Sequence, residues 1–263
     1  MQAPGCVVIS GASRGLGAAL AERFAASGIA LRLIARGASG LAETAARCTA
    51  RGATVETAAI DIRDAAAIAA QLHAWEAARP VDTVIANAGI ARGTRPDGAW
   101  EGLDGATEQV AVNLLGAMHL VEPLLPAMRA RRAGRIALVA SVAAYRGLPD
   151  APGYAASKAG LRAYGEGLRA ALGPGGVAVT VVLPGFFESD MGSRWKGPRP
   201  LLISLDAAAG RTHRAILRGA RRAAFPLPLA AVLRLVDAMP AGLSDWAVRR
   251  MRFRVAAEDA PRA

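Results

Sequence analysis

The sequence predicts an α/β fold in which a doubly wound parallel sheet of about seven strands carries helices on both faces. Predicted strands and helices alternate along most of the chain, and most strands are continuous apolar runs, as at 5–9 and 177–183. Such runs are typical of strands buried on both faces. Right-handed crossovers between parallel strands give a doubly wound sheet. Ligands of such a sheet are expected outside the carboxyl ends of its strands.

The composition is that of one folded domain, and we predict a single domain over residues 1–263. Of the 263 residues, 53% are apolar and only 5% aromatic, so Ala, Val and Leu fill the core. No run of about 20 uncharged apolar residues is present, so no spanning helix is expected. Cys6 and Cys48 lack a metal-ligand spacing, and no secretory signal precedes the first strand. Reduced thiols, a cytoplasmic location and no metal site are therefore expected.

The formal net charge of +11 is concentrated in the last third of the chain. From Asp190 onward there are fourteen basic and six acidic residues. A basic balance favours nucleic acid, an anionic membrane surface or acidic ligands, and it also arises from an arginine-rich composition alone. No nucleic-acid-binding motif accompanies it, so a nucleic-acid partner is not expected.

A glycine-rich segment joins the first strand, 5–9, to a predicted helix at 18–27. It reads Ser10-Gly-Ala-Ser-Arg-Gly-Leu-Gly17. Small residues let the backbone approach a pyrophosphate, and the helix N-terminus offers free N–H groups and a positive dipole end. The alternative is a tight turn without a ligand. The candidate binding residues in this turn are Gly11, Ser13, Arg14, Gly15, Leu16 and Gly17.

The second strand, 29–35, ends without the acidic residue that usually holds the ribose 2′-hydroxyl of NAD. Arg36 stands there instead, and Arg14 offers a second cation from the glycine-rich turn. Two arginines that converge on a 2′-phosphate favour NADP(H) over NAD(H). The alternative is that both arginines are simply solvated.

Two further strands end in candidate binding residues. The third, 53–60, leads into Asp61 and Ile62, where Asp61 is suited either to accept a hydrogen bond from an adenine amino group or to cap the helix that begins near Asp64. The fourth, 81–86, is followed by Asn87, Ala88 and Gly89, small enough for close approach of a ring and a ribose.

A long helix is predicted at 107–131, and it carries Asn113 on an apolar background. This amide is either satisfied locally or holds a water molecule or a carbonyl group. The fifth strand, 135–140, leads into Ser141, and the sixth, 177–183, is broken by Pro184 and Gly185.

Tyr154 and Lys158 are four residues apart, so on a helix they share one face. A phenol has a reference pKa of about 10, and a nearby cation lowers that pKa toward the working range. The pair is therefore a candidate general acid/base, although an exposed tyrosine near a solvated lysine has the same spacing.

These motifs together resemble those of the short-chain dehydrogenase/reductase family over roughly residues 5–191. The 10–17 segment is similar to its T-G-x-x-x-G-x-G motif, with Ser10 in place of Thr, and 86–89 looks like its N-N-A-G motif. Asn113, Ser141, Tyr154 and Lys158 match the family's catalytic tetrad. Pro184 and Gly185, with Ser189 four residues later, match the segment that contacts the nicotinamide carboxamide.

The resemblance implies a Rossmann-like domain that transfers a hydride between NADP(H) and a carbonyl/alcohol pair. Tyr154 would be the general acid/base, and Lys158 would lower its pKa and hold the nicotinamide ribose. Ser141 would bind the substrate oxygen, and Asn113 would keep a water molecule in a proton relay. It also implies homodimers or homotetramers formed through helices at about 107–131 and 152–172. The residues then expected to bind cofactor are those of the glycine-rich turn with Arg36, Asp61, Ile62, Asn87, Ala88, Gly89, Tyr154, Lys158, Pro184, Gly185 and Ser189.

The C-terminal part departs from the family pattern. We expect a substrate lid over 186–222 and a helical extension over 227–263, in which Ser244 caps a helix containing Trp246, Phe253 and several arginines. This helix is suited either to weak contact with an anionic membrane or to packing over the substrate cleft or a partner subunit.

The leading hypothesis is an NADP(H)-dependent reductase or dehydrogenase acting on a small-molecule carbonyl or secondary alcohol, either an apolar ketone or a sugar-derived carbonyl. The alternatives are a regulatory module that binds NADP(H) without turnover and a membrane-surface reductase acting on a lipid carbonyl.

Overall fold

A seven-stranded parallel sheet forms the centre of the molecule in the computed structural model, which describes residues 5–93, 101–193, 195–250 and 254–255. The strands are β1 Cys6–Ser10, β2 Ala30–Ala35, β3 Thr54–Ala59, β4 Thr83–Ala86, β5 Gly134–Val139, β6 Val177–Pro184, β7 Trp195–Lys196, β8 Arg222–Phe225 and β9 Arg254–Val255. The sheet order is β3-β2-β1-β4-β5-β6-β8, and β7 and β9 form a separate antiparallel ladder. The predicted α/β fold and its single doubly wound sheet are confirmed.

Helices connect the strands and cover both faces of the sheet. They are α1 Gly15–Phe24, α2 Ala38–Thr49, α3 Ala65–Ala78, α4 Gly102–Val110, α5 Gly116–Val121, α6 Leu125–Ala130, α7 Pro152–Leu172, α8 Asp190–Ser193, α9 Leu205–Leu217, α10 Leu227–Asp237 and α11 Ala241–Arg250. Two apolar clusters result, one on each face. Leu20 and Phe24 of α1 pack with Ile216 of α9 in one, and Leu72 of α3 packs with Leu161 of α7 in the other.

The order of the strands reverses between β1 and β4, which lie side by side in the sheet. The glycine-rich turn leaves β1 and the Asn87 segment leaves β4, so the two segments meet at this point. A crevice at such a reversal is the usual ligand position in a doubly wound sheet.

The predicted long helix at 107–131 begins five residues earlier and is interrupted. A π-helical turn, Ala111–Leu115, separates α4 from α5, and a 3₁₀ turn, Glu122–Leu124, separates α5 from α6. Pro123 and Pro126 lie in the first turns of the later pieces, where the missing N–H is tolerated.

The same helical run, Gly102–Ala130, is the one candidate among the described residues that is long and apolar enough to cross a membrane. The sequence predicts no spanning helix. A core helix of a soluble domain has the same length and apolar composition, and 39% of the most apolar window of this run is buried. Leu120, Leu124 and Met128 of this run lie in the core.

The region predicted as a lid contains a helix of the core. Ala208, Ala209 and Ile216 of α9 are buried in the cluster around α1, so this part of the region predicted at 186–222 belongs to the core, and a lid over the remaining 186–204 stays a prediction. Phe187 and Ile203 form an isolated parallel bridge that closes this shorter segment at its base.

The C-terminal extension differs from its prediction in two respects. Ser244 lies inside α11 and is 2% exposed, and its hydroxyl accepts a hydrogen bond from Arg146 at 2.7 Å; it is not a cap. Arg254 lies in β9 rather than in a helix, and β9 pairs with β7. Phe253 lies outside the described residues.

Candidate active site

The glycine-rich turn and the β4 segment form a cradle built from backbone. Gly11 has φ +65°, a conformation that favours glycine. A Cβ at Gly17 would lie 2.1 Å from the carbonyl oxygen of Gly11, so α1 can approach the turn only without a side chain there. The Ser10 hydroxyl accepts hydrogen bonds from the N–H groups of Asn87 and Ala88, each at 3.1 Å. These contacts place the free N-terminus of α1 at the crevice.

The Asn87 side chain locks the two segments together. Its Nδ2 donates to the carbonyl oxygens of Ser10, at 3.1 Å, and of Gly11, at 3.3 Å. A Cβ at Gly11 would lie 2.8 Å from Cα of Ala88. Asn87 therefore holds the turn that would carry a pyrophosphate.

Three arginines follow the ends of β1, β2 and β3. Arg14 is 72% exposed at its side chain and lies 3.4 Å from the Asp190 carboxylate of α8, which is 75% exposed. Arg36 is exposed beyond β2. Arg63 pairs with Asp61, with its Nη2 2.6 Å from Oδ2. Exposed ion pairs of this kind are weak, so the Arg14 guanidinium is available to an anion.

Asp61 is engaged by Arg63 rather than by a helix. The α3 cap is Asp64, whose carboxylate accepts from the N–H of Ala67 at 2.9 Å, so the capping alternative for Asp61 is wrong. Hydrogen bonds from Arg63, together with the charge of Arg36, hold the pKa of Asp61 below its usual value. Ile62 is buried against Gly116 of α5. Binding of adenine at Asp61 and Ile62 stays a prediction.

Ser141, Tyr154 and Lys158 lie together beyond the ends of β5 and β6. The Ser141 hydroxyl accepts from the N–H of Ala143 at 3.1 Å and lies 3.5 Å from the carbonyl oxygen of Pro184. Lys158 is 4% exposed, and its Nζ donates to the carbonyl oxygen of Val139 at 2.9 Å. The same Nζ lies 5.9 Å from the centre of the Tyr154 ring. The helical spacing of the tyrosine and the lysine thus places both groups in one site.

Burial shifts the pKa values of both titratable groups toward their neutral forms. It raises the pKa of Tyr154 above its usual value, and the Ser141 hydroxyl opposes this by favouring the phenolate. Burial lowers the pKa of Lys158 to about 8. Among the described residues, Ser141 is the group that lowers the pKa of Tyr154. Lowering of that pKa by Lys158 stays a prediction.

Asn113 is satisfied locally, as one of the two alternatives proposed. Its Oδ1 accepts from the N–H of Ile90 at 2.7 Å, and its Nδ2 donates to the Ile90 carbonyl oxygen at 2.9 Å and to the Ser157 hydroxyl at 3.0 Å. A Cβ at Gly89 would lie 3.2 Å from Asn113 Oδ1 and 3.3 Å from Lys158 Nζ. Gly89 therefore allows these groups to meet, while a water held by Asn113 stays a prediction.

Residues of β8 and α10, later in the chain, hold the segment that follows β6. The N–H of Gly185 donates to the carbonyl oxygen of Phe225 at 2.7 Å, and a Cβ at Gly185 would lie 2.9 Å from Leu229 of α10. Ser189 accepts from the N–H of Gly192 at 3.0 Å, which folds the short α8. Pro184 and Gly185 thus lie beside Ser141, and Ser189 lies further out, at the start of α8.

Several residues of the site are not among the residues predicted from the sequence. Ser10 joins the glycine-rich turn to the segment that follows β4, and its position in the glycine-rich motif was a usable signal. Ser157 links Asn113 to the backbone of Tyr154, donating to that carbonyl oxygen at 2.7 Å. Arg63 and the buried Glu101 carried no sequence signal, since both depend on contacts formed by folding.

Comparison with known proteins identifies the family. The family model described as short chain dehydrogenase matches residues 5–199. The chain belongs to the short-chain dehydrogenase/reductase family. It is an oxidoreductase of that type, as its motifs had indicated. An uncharacterized oxidoreductase of Myxococcus xanthus is 34% identical over 247 residues, which cover 93% of this chain and 96% of that protein.

Solved structures show both nicotinamide cofactors among the neighbours. A short-chain dehydrogenase from Sphingobium yanoikuyae in complex with NADPH has a TM-score of 0.76 and 26% identity, covering 98% of this chain and 99% of its own. Carveol dehydrogenase from Mycobacterium avium in complex with NAD has a TM-score of 0.65 and 26% identity, covering 71% of this chain and 72% of its own. The fold is thus one that is found with NADPH in some of these neighbours and with NAD in others.

The residues present fit a dinucleotide. Gly11 and Gly17 let the β4 segment and α1 pack closely against the turn, and Gly15, with φ +55°, has open space where its side chain would stand. The N-terminus of α1 lies behind this turn, as a pyrophosphate requires. No acidic residue directly follows β2, and the exposed Arg14 and Arg36 suit an additional phosphate.

Proposed function

We propose that this protein transfers a hydride between NADP(H) and a small carbonyl or secondary alcohol, with Tyr154 as the general acid/base. The observation that carries the proposal is the placement of Tyr154, the buried Lys158 and Ser141 in one group beside the backbone cradle. When bound, the nicotinamide supplies or accepts the hydride, and the protein binds, orients and moves the proton.

Each residue has a distinct task in carbonyl reduction. Ser141 donates a hydrogen bond to the substrate oxygen and stabilises the charge that develops there. Tyr154 gives its phenolic proton to that oxygen. Lys158 stabilises the resulting phenolate, and its fixed hydrogen bond to Val139 keeps the ammonium in place. In alcohol oxidation the phenolate accepts the proton.

Arg14 and Arg36 support the preference for NADP(H). Both are exposed at the ends of the strands nearest the cradle, and Arg36 is close enough to lower the pKa of Asp61. A 2′-phosphate would add two charge-assisted contacts that a ribose hydroxyl lacks.

The segment at 186–204 supports an apolar substrate over a sugar-derived one. Phe186 and Trp195 pack edge to face with their ring centres 4.8 Å apart, and the Trp195 indole N–H donates to the carbonyl oxygen of Pro198 at 3.1 Å. Leu201 and Leu202 are exposed on the same segment. Such a lid would cover an apolar ketone at little desolvation cost.

The proposal includes assembly as a homodimer or homotetramer through the helical segments at about 107–131 and 152–172. Leu103 is 82% and Leu115 43% exposed in the 102–130 run, and such apolar side chains suit a subunit interface. Light scattering after gel filtration measures the state, and a monomer for the wild type would reject this part.

NADPH consumption against a panel of apolar ketones, small aldehydes and keto-sugars tests the activity. We expect turnover with an apolar ketone, and its loss in Tyr154→Phe with the Kd for NADPH unchanged. Tyr164→Phe is the matched control, because Tyr164 lies on the same helix but bonds Glu122 at 2.6 Å, away from the site. Turnover in Tyr154→Phe equal to the wild type would remove Tyr154 from the mechanism. Silence across the panel with NADPH bound would favour the non-catalytic module.

A further inference from the structure

The helix that carries Tyr154 begins without a cap of its own. The residue before α7 is Ala151, which makes no side-chain cap hydrogen bond, and the first turn contains no acidic residue. The first N–H groups of a helix lack internal partners, and Ser, Thr, Asp or Asn usually supplies one. Tyr154 lies in this first turn, so its position depends on how the turn is held.

A buried carboxylate from another helical segment supplies the missing partner. Glu101, directly before α4, is 8% exposed, and its Oε1 accepts a hydrogen bond from the N–H of Gly153. A negative group at a helix N-terminus also interacts favourably with the helix dipole. Glu101 thus caps α7 from a position 52 residues earlier in the chain.

The Glu101 carboxylate is itself held in place. Gln109, which is fully buried, donates from Nε2 to Glu101 Oε2 at 2.6 Å and to the Gly105 carbonyl oxygen at 3.0 Å. Gln109 Oε1 accepts from the N–H of Arg92 at 2.9 Å. Both ends of the amide are occupied, so Gln109 cannot turn over to pair with an uncharged amide at position 101.

Gly153 is required by this contact. A Cβ there would lie 2.6 Å from Glu101 Oε1 and 2.8 Å from Cα of Ala106 in α4. A side chain at this position would therefore push the start of α7 away from the carboxylate. The residue that receives the cap directly precedes the proposed general acid.

We propose that Glu101 is a positioning residue for Tyr154: its carboxylate, clamped by Gln109, fixes the first turn of α7 and so sets the phenol against Ser141 and the substrate oxygen. This inference rests on the proposed function for its effect on turnover, but not for its effect on the helix. The Glu101 side chain acts through the backbone of α7 and is assigned no proton transfer.

The test compares Glu101→Gln with Asp104→Asn, an equivalent change at an exposed carboxylate of α4. We expect kcat to fall by about tenfold to a hundredfold in Glu101→Gln, the scale of a small misplacement of a catalytic group, with the Kd for NADPH within about twofold of the wild type. Asp104→Asn should retain full turnover. An unchanged kcat in Glu101→Gln, or an equal loss of NADPH affinity, would overturn the proposal.

A local cap provides a rescue that a general packing role would not. Ala151→Ser places a hydroxyl at the N-cap of α7, and we expect it to restore part of the lost kcat in the Glu101→Gln background while adding nothing to the wild type. Failure to recover any activity in the double variant would count against capping as the cause.

Hydrogen exchange gives a measurement that does not depend on turnover. In Glu101→Gln the amides of 153–155 should exchange faster than in the wild type, whereas those of the distant α2 should not change. Should Glu101→Gln fail to fold, Gly153→Ala serves as the second variant, since Ala favours helices and its Cβ would displace the Glu101 carboxylate, together with Ala106 of α4, from the start of α7. Unchanged exchange at 153–155 in the variant that folds would reject the inference even if no carbonyl substrate were found. Faster exchange in a protein without any turnover would leave the cap in place and reject the proposed function alone.

Discussion

Replacing Lys158 with methionine should change how the stability of the cofactor-free protein depends on pH. Burial lowers the pKa of Lys158 from 10.5 to about 8. Between these two values the unfolded chain binds more protons at this position than the folded chain does, so the stability of the wild type rises as pH increases. Below pH 8 the buried ammonium costs its full amount. Methionine has a similar length and no charge, so it removes this dependence.

The size of the effect follows from the two pKa values. A difference of one pKa unit is worth about 1.4 kcal/mol, so the free energy of unfolding of the wild type should gain about 2 to 3 kcal/mol relative to Lys158→Met between pH 7 and pH 10. Urea unfolding of both proteins at several pH values, followed by circular dichroism, measures the difference directly. Titratable groups far from position 158 affect both proteins alike. Two stability curves that run parallel from pH 7 to pH 10 would refute the assignment of a depressed pKa to Lys158.

Three further predictions concern the cofactor, the cradle and the C-terminal extension. Arg36→Asp should raise the Kd for NADPH far more than that for NADH, because it puts a carboxylate beside the 2′-phosphate; equal losses in a fluorescence titration would exclude Arg36 as a ligand. Gly17→Ala should abolish cofactor binding and lower the Tm, because its Cβ would lie 2.1 Å from the carbonyl oxygen of Gly11. In the control, Gly167→Ala, the new Cβ has open space around it on α7, so this variant should raise the free energy of unfolding by about 0.5 to 1 kcal/mol. Thermal unfolding of both variants checks this, and a stable Gly17→Ala that still binds NADPH would contradict it. If the predicted weak membrane contact exists, the protein should co-sediment with phosphatidylglycerol vesicles in preference to phosphatidylcholine vesicles. The double variant Leu243→Ser with Trp246→Ser should lose that binding, because it removes two apolar side chains that are 50% and 52% exposed. Equal recovery of the protein with both vesicle types would reject the contact.

The sequence alone was sufficient for the sheet because its strands are buried on both faces. Cys6–Ser10 and Thr83–Ala86 have no exposed residue, and such runs have few alternatives to a central parallel strand. The edge strand β3 is largely exposed, yet it was found because the turn and helix signals on either side bounded it. Helix ends were less accurate, since several helices begin without a side-chain cap that could mark them.

The parts that could not be predicted depend on contacts between distant segments. The local sequence predicts that Ser244 caps a helix, but the residue lies inside α11, where its buried hydroxyl accepts a hydrogen bond from Arg146, 98 residues away. The sequence makes Asp61 a plausible cap of α3, but in the structure Asp61 pairs with Arg63, and Asp64 is the cap. The long helix is interrupted at Ala111–Leu115, and this segment contains no Gly or Pro from which the interruption could be predicted.

The pairing of β7 with β9 ties the proposed lid, 186–204, to the last described residues of the chain. A group joined after Ala263 is separated from Val255 of this ladder by only eight residues of sequence. Kinetic work on this enzyme is therefore best done with an affinity tag at the other end, beside Cys6–Ser10, where the chain enters the sheet. If a C-terminally tagged preparation turned over more slowly than an N-terminally tagged one, the difference would be attributed to disturbance of the β7–β9 ladder and not to the catalytic groups.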